Sequence, residues 1–257
     1  MSKKLLVVLL SVFLSACGLV SQSTPTLPEK VVPQTTATST AVPIAVTTEI
    51  PATVVPEYTA DPNFFRDDFT GLLNPQWSWI REDPQNWSLI TIPGSLQINV
   101  EGGYVAAKSN SNLLLRPAPA GDFRIETQIN FKPEDNYQFA GLIIYESDAN
   151  FIQAGRGYCR SFECAGEGLY MNYYKKGVVV KPDFGQPYKE IDPISVRLSR
   201  KGDNYTFEAS TDGKVWFIIG SHASDIAPLQ VGLITGQRLK GDILPATFDY
   251  FEVRSLP

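Results

Sequence analysis

Phe123-Arg124-Ile125-Glu126-Thr127-Gln128-Ile129-Asn130-Phe131 alternates apolar and polar side chains without a break. Successive side chains of a strand point to opposite faces, so this segment reads as a strand with one apolar face. The alternation recurs in Leu89-Ile90-Thr91-Ile92, Leu96-Gln97-Ile98-Asn99-Val100 and Tyr205-Thr206-Phe207-Glu208-Ala209. More continuous apolar runs occur at 140–145 and 231–234. Turn signals separate them: Pro93-Gly94, Glu101-Gly102-Gly103, Lys201-Gly202-Asp203-Asn204 and Thr211-Asp212-Gly213. No amphipathic helix exceeds two turns, though 223–228 has room for one short turn. Short strands at this spacing predict an all-β sandwich or barrel. Residues 201–216 predict a hairpin, with Trp216 in the core.

Outward from this region, the ends of the chain read differently. Lys3 and Lys4 precede a short apolar stretch, Leu5 to Leu14. It falls well short of the roughly 20 residues a membrane-spanning helix needs, and it reads as a signal peptide. Leu14-Ser15-Ala16-Cys17-Gly18 follows and resembles the bacterial lipoprotein signal. That resemblance implies cleavage after residue 16 and lipidation of Cys17, with the membrane as a partner through the lipid anchor. Residues 17–62 are rich in Thr, Pro and small residues, with no strand or helix period. They cannot bury enough apolar area to offset chain entropy and read as an extended tether. One domain, 63–257, remains, long enough for a full core. The expected location is outside the cytoplasm, lipid-anchored to the bacterial cell membrane.

With 22 Lys and Arg against 27 Asp and Glu, the net charge is −5. Nucleic-acid binding calls for a basic face, so nucleic acid is excluded as a partner. Besides Cys17, the cysteines are Cys159 and Cys164, five residues apart. In an exported protein they predict a small-loop disulfide. Two thiolates without a nearby histidine make a poor zinc site, and the lone histidine, His222, is distant.

The domain opens on a tryptophan cluster, Trp77-Ser78-Trp79-Ile80-Arg81-Glu82-Asp83-Pro84-Gln85-Asn86-Trp87. With Leu72, Ser88-Leu89, Pro93-Gly94 and Leu96, it resembles the opening of the concanavalin-A-like C-terminal domain of family 43 glycoside hydrolases, the β-xylosidase group. Asn112-Leu113-Leu114-Leu115-Arg116, Gln138 to Tyr145, Val196-Arg197-Leu198, Ser210-Thr211-Asp212-Gly213 with Trp216, and Thr247 to Val253 continue the likeness in order. The resemblance implies a concanavalin-A-like jelly-roll β-sandwich of two curved antiparallel sheets, with ligands on the concave sheet. The catalytic propeller that precedes this domain in the xylosidases has no counterpart in the sequence. Its carboxylates therefore carry nothing over.

A catalytic set within the domain is not apparent. Glu190-Ile191-Asp192 begins like a glycosidase Glu-x-Asp-x-x-Glu strand motif, but Pro193 interrupts it and Ser195 stands where the third carboxylate belongs. A serine triad lacks its Gly-x-Ser-x-Gly. A sugar site is easier to assemble from aromatic faces and planar polar groups. Trp79, Arg81, Trp87, Asn112, Gln138 and Tyr145 supply these and are the expected ligand residues. Trp77 is assigned to the core, and Trp87 is left open between core and platform. Tyr170, Tyr173 and Tyr174 form a second aromatic patch, at the rim or in strand packing. A structural Ca²⁺ is the candidate cofactor, with Asp249, Asp68 and Gly71 as donors. The reading is a non-catalytic carbohydrate-binding lipoprotein that takes a polysaccharide or oligosaccharide. Its rivals are a hydrolase or lyase with an unrecognised carboxylate pair (Glu126, Glu146, Glu167 or Glu208) and a laminin-G-like interaction module.

Overall fold

The computed structural model describes residues 63–135, 137–161, 164–190, 193–238 and 241–257. The expected signal (1–16), Cys17, the tether (17–62) and Asp192 lie outside these residues. Fifteen strands form among the described residues. They begin with β1 (Phe64–Asp67), β2 (Ser78–Ile80), β3 (Trp87–Ser88), β4 (Leu96–Val100), β5 (Leu113–Pro117) and β6 (Phe123–Asn130). The next five are β7 (Gln138–Ser147), β8 (Asn150–Tyr158), β9 (Glu167–Lys175), β10 (Val178–Pro187) and β11 (Ile194–Lys201). The last four are β12 (Asn204–Ser210), β13 (Phe217–Ala223), β14 (Gln230–Gln237) and β15 (Leu244–Ser255). One sheet runs β13-β12-β11-β6-β15-β4-β3, with β1 also paired to β15; the other runs β10-β9-β8-β7-β14-β5-β2. Every pairing between these strands is antiparallel. The expected concanavalin-A-like two-sheet sandwich is the fold this chain adopts.

The alternating pattern explains where the core sits. Ile125 and Ile129 of β6, Val196 and Leu198 of β11, and Phe207 of β12 turn inward from the first sheet. Leu142, Ile144, Ile152, Ala154, Leu169 and Met171 meet them from the second. Trp77 joins this core, as expected. Its ring packs on Phe65, Phe69 and Phe251, and its indole N–H donates to Asp67 at 2.8 Å.

Each open side of the sandwich is closed by aromatic rings. Trp79 of β2 and Trp87 of β3 belong to different sheets, and their rings lie 5.0 Å apart. On the opposite side, the Phe184 ring of β10 lies on Gly220 of β13, where any Cβ would collide with it. The same ring is 4.9 Å from His222. Arg156, wholly buried between the sheets, pairs with Glu167 at 2.9 Å and donates to the Glu190 carbonyl.

Three expectations change. Leu89 to Ile92 is not a strand: the Ser88 hydroxyl accepts from the backbone N–H of Ile90 and Thr91, which turns the chain and leaves Ile90 exposed. Trp216 is not core. It lies on the outer face of the first sheet under the Arg197 guanidinium, 4.1 Å away, because β13 starts only at Phe217. Residues 223–228 form no helical turn: Ala223 ends β13, and the Ser224 hydroxyl takes the Ile226 N–H instead.

Candidate functional site

The outward face of the second sheet carries the other half of the alternation. Phe151, Gln153, Tyr170, Asn172 and Tyr174 point away from the core that holds Ile152, Ala154, Leu169, Met171 and Tyr173. Over β5, β7 and β14 this face is apolar and largely buried, with Phe139 and Tyr145 set among the aliphatic side chains. Leu113, Leu115, Ile143 and Ile234 pack beneath Val105 of the short 3-10 turn Val105–Ala107. Over β8, β9 and β10 it is open and forms a cavity of about 670 Å³.

Backbone features shape this cavity. Gly141 and Gly155 face each other across β7 and β8, and a Cβ on either would sit 2.3 Å from the neighbouring strand's carbonyl oxygen. Side-chain-free positions there let the two strands approach closely. A bulge in β10 between Val180 and Phe184 leaves Lys181, Pro182 and Asp183 out of register and along one wall. The disulfide Cys159–Cys164 closes a loop at one end, with both cysteines against the cavity.

The polar groups suit a hydroxyl-rich ligand. Gln153 and Asn172 pair across β8 and β9, with the Gln153 amide donating to the Asn172 oxygen at 3.4 Å. Tyr174 stacks on Phe151 at 4.5 Å between centroids. Burial raises the Tyr174 hydroxyl above its usual range, so it stays protonated and able to donate. The Tyr170 ring lies over Gly185, and its hydroxyl, raised to about 12 by burial, donates to the Gly166 carbonyl.

The six expected ligand residues are dispersed. Trp79 and Trp87 close the sandwich and do not line the cavity; the Trp87 N–H donates to Glu82 at 3.2 Å. Arg81 grips both oxygens of Asp148 at 3.1 Å and the Asn110 carbonyl at 2.7 Å. The Tyr145 hydroxyl, pushed up to about 12 mainly by burial, donates to the same Asp148 at 3.2 Å. Asn112 is fully buried at positive φ (54°), its oxygen accepting from the Asp83 N–H at 2.7 Å. Gln138 touches the cavity wall, but its oxygen accepts the Glu134 N–H at 2.8 Å and its nitrogen donates to Asp242. The structure therefore brings Arg81 and Tyr145 together at Asp148 and does not gather the six onto one platform.

Of the second aromatic patch, Tyr170 and Tyr174 line the cavity, while Tyr173 turns into the core and donates to Asp225 at 3.1 Å. The reading along the chain missed Phe151, Gln153, Asn172 and Arg238. The first three were signalled by alternation within Phe151-Ile152-Gln153 and Tyr170-Met171-Asn172; Arg238 had no local signal. At the candidate calcium donors, Asp68 faces the Arg66 guanidinium at 2.7 Å and Asp249 accepts from Ser95 at 3.0 Å. Gly71 adopts positive φ (98°) in the turn after β1. Among the described residues no three acidic, His or Cys side chains converge.

Residues 66–254 match the family model for the beta-xylosidase C-terminal concanavalin A-like domain. The xylan 1,3-beta-xylosidase of a Vibrio species is 26% identical over 216 residues, covering 73% of this chain and 37% of that protein. The GH43 protein BlXynB of Bacillus licheniformis superposes with a TM-score of 0.66 at 22% identity, over 76% of this chain and 39% of its own. The xylan beta-1,4-xylosidase of Bacillus halodurans C-125 gives a TM-score of 0.63 at 22% identity, over 76% and 39%. At these identities the structural likeness shows the fold alone, and the chain spans about two fifths of each relative. The sequence match and the two-sheet architecture agree: this chain belongs to the family of beta-xylosidase C-terminal concanavalin-A-like domains.

Proposed function

We propose that this chain is a non-catalytic polysaccharide-binding protein, exported and held at the membrane by a lipid on Cys17. The site is the open cavity over β8, β9 and β10. The observation that carries this reading is the pairing of an aromatic stack, Tyr174 on Phe151, with the Gln153–Asn172 amides on one outward sheet face. Aromatic faces take the apolar side of a sugar ring, and planar amides take hydroxyl pairs. The named relatives are xylosidases, so a β-linked pentose or hexose chain is the ligand class to test first.

The carboxylates support binding over hydrolysis. A glycosidase needs two carboxyls about 5 to 9.5 Å apart across the scissile bond. Glu126 accepts from Tyr250, Glu208 holds Arg197, Glu167 holds Arg156, and Glu146 accepts the Ala227 N–H. Asp183 is the one carboxylate lining the cavity among the described residues, and it is paired with Lys181.

Calorimetry with xylan, arabinan and β-glucan oligosaccharides tests the proposal. At least one should bind, and Tyr174→Ala should weaken it about tenfold, the effect of removing one aromatic contact. No binding to any of them, or unchanged binding by a correctly folded Tyr174→Ala variant, defeats it.

A further inference from the structure

Resting on that reading, we infer that the cavity selects a sugar bearing a carboxylate, a uronic acid, through Arg238. The residue lies just beyond the end of β14, exposed, at the rim of the cavity. Its guanidinium sits over the Tyr104 ring, 5.7 Å from the centroid. Among the described residues no carboxylate lies within ion-pair distance of it, in contrast to Arg66, Arg81, Arg156, Arg160, Arg197 and Arg254.

The charge around the cavity departs from that of the chain. The whole protein carries −5. Among the described residues, those with charge that line the cavity are Lys181, Asp183 and Arg238, two cations and one carboxylate. Lys181 and Asp183 neutralise each other. Among the described residues, Arg238 is left as the uncompensated charge facing the ligand.

Position and chemistry agree with a carboxylate. Gln237, next in the chain, is buried and donates to the carbonyls of Val100 and Asp242 at 3.3 Å, so the backbone that presents Arg238 is held. A planar guanidinium resting on an aromatic ring has one edge left to engage a carboxylate with two parallel hydrogen bonds. Arg238 lines the same cavity as Tyr174, the proposed sugar-stacking residue. A sugar ring at Tyr174 therefore places a ring substituent toward the rim cation.

Calorimetry on the full chain, with matched xylo-oligosaccharides with and without one glucuronic acid branch and with an oligogalacturonide, tests this. The wild type should bind at least one acidic ligand about tenfold tighter than the neutral one, as a charge-assisted contact provides. Raising the salt should shrink that gap. Arg238→Gln should abolish the gap, weakening the acidic ligand more than the neutral one, and Arg238→Lys should restore part of it. Equal wild-type affinity for acidic and neutral ligands, or a gap that survives Arg238→Gln, overturns the inference and leaves polysaccharide binding standing. Absence of binding to every oligosaccharide overturns both.

Discussion

At the residue scale, His222 shows how packing sets a titration. Its ring is nearly buried between Phe184 at 4.9 Å and Tyr173 at 5.7 Å, and its Nε2 has no partner. Burial lowers its pKa below 6.5; the nearby Asp183 opposes the shift without cancelling it. The folded state thus holds the neutral imidazole, and the unfolded chain takes up a proton first as pH falls. His222 contributes its full stability above pH 6.5 and loses it as pH drops toward the folded-state value. Denaturant melts at pH 7.5 and 5.5 should show a steeper loss for wild type than for His222→Phe. The comparison matters because burial raises the Glu101 carboxyl, which acts in the opposite direction in both proteins. Equal slopes would remove His222 as the cause. The Phe184 ring against His222 also lines the cavity.

At the element scale, β7 and β8 are pressed together by absent side chains. Gly155→Ala places a Cβ 2.3 Å from the Ala140 carbonyl oxygen, and backbone must move to admit it. Overpacking of this kind costs typically 1–3 kcal/mol, and a urea midpoint shift should register it. A variant as stable as wild type would show the strands free to separate. The elements were legible in the chain to different degrees. β4, β6 and β12 announce themselves by alternation, because each has one face on the core. β7 and β14 read as continuous apolar runs because both faces of their sheet are largely covered there. The segment after β3 misled the reading because a serine hydroxyl, invisible to periodicity, captured two backbone donors. Trp79 and Trp87 misled it for a different reason. A tryptophan's exposure depends on what faces it from the other sheet, and nothing near residue 79 in the chain specifies that.

At the scale of the whole molecule, two sheets share one core and divide the remaining work between their outer faces. The first sheet's outer face carries a charge lattice, with Arg197 on Glu208, Tyr250 on Glu126 and Arg66 on Glu252. The second's carries the cavity. Family and architecture were readable from the tryptophan cluster and the strand spacing, whereas the cavity required strands distant in sequence, β8, β9, β10 and the end of β14, to be laid side by side. This division has an optical consequence. None of the four tryptophans lines the cavity, while Tyr104, Tyr137, Tyr158, Tyr170 and Tyr174 all do. Sugar binding should perturb tyrosine absorbance and leave tryptophan emission, excited where tyrosine is dark, unchanged at saturation. A quenched or shifted indole signal would put the sugar at the Trp79–Trp87 edge instead. If emission stays silent, the indoles report folding and the phenols report occupancy, two independent colours built into one small domain.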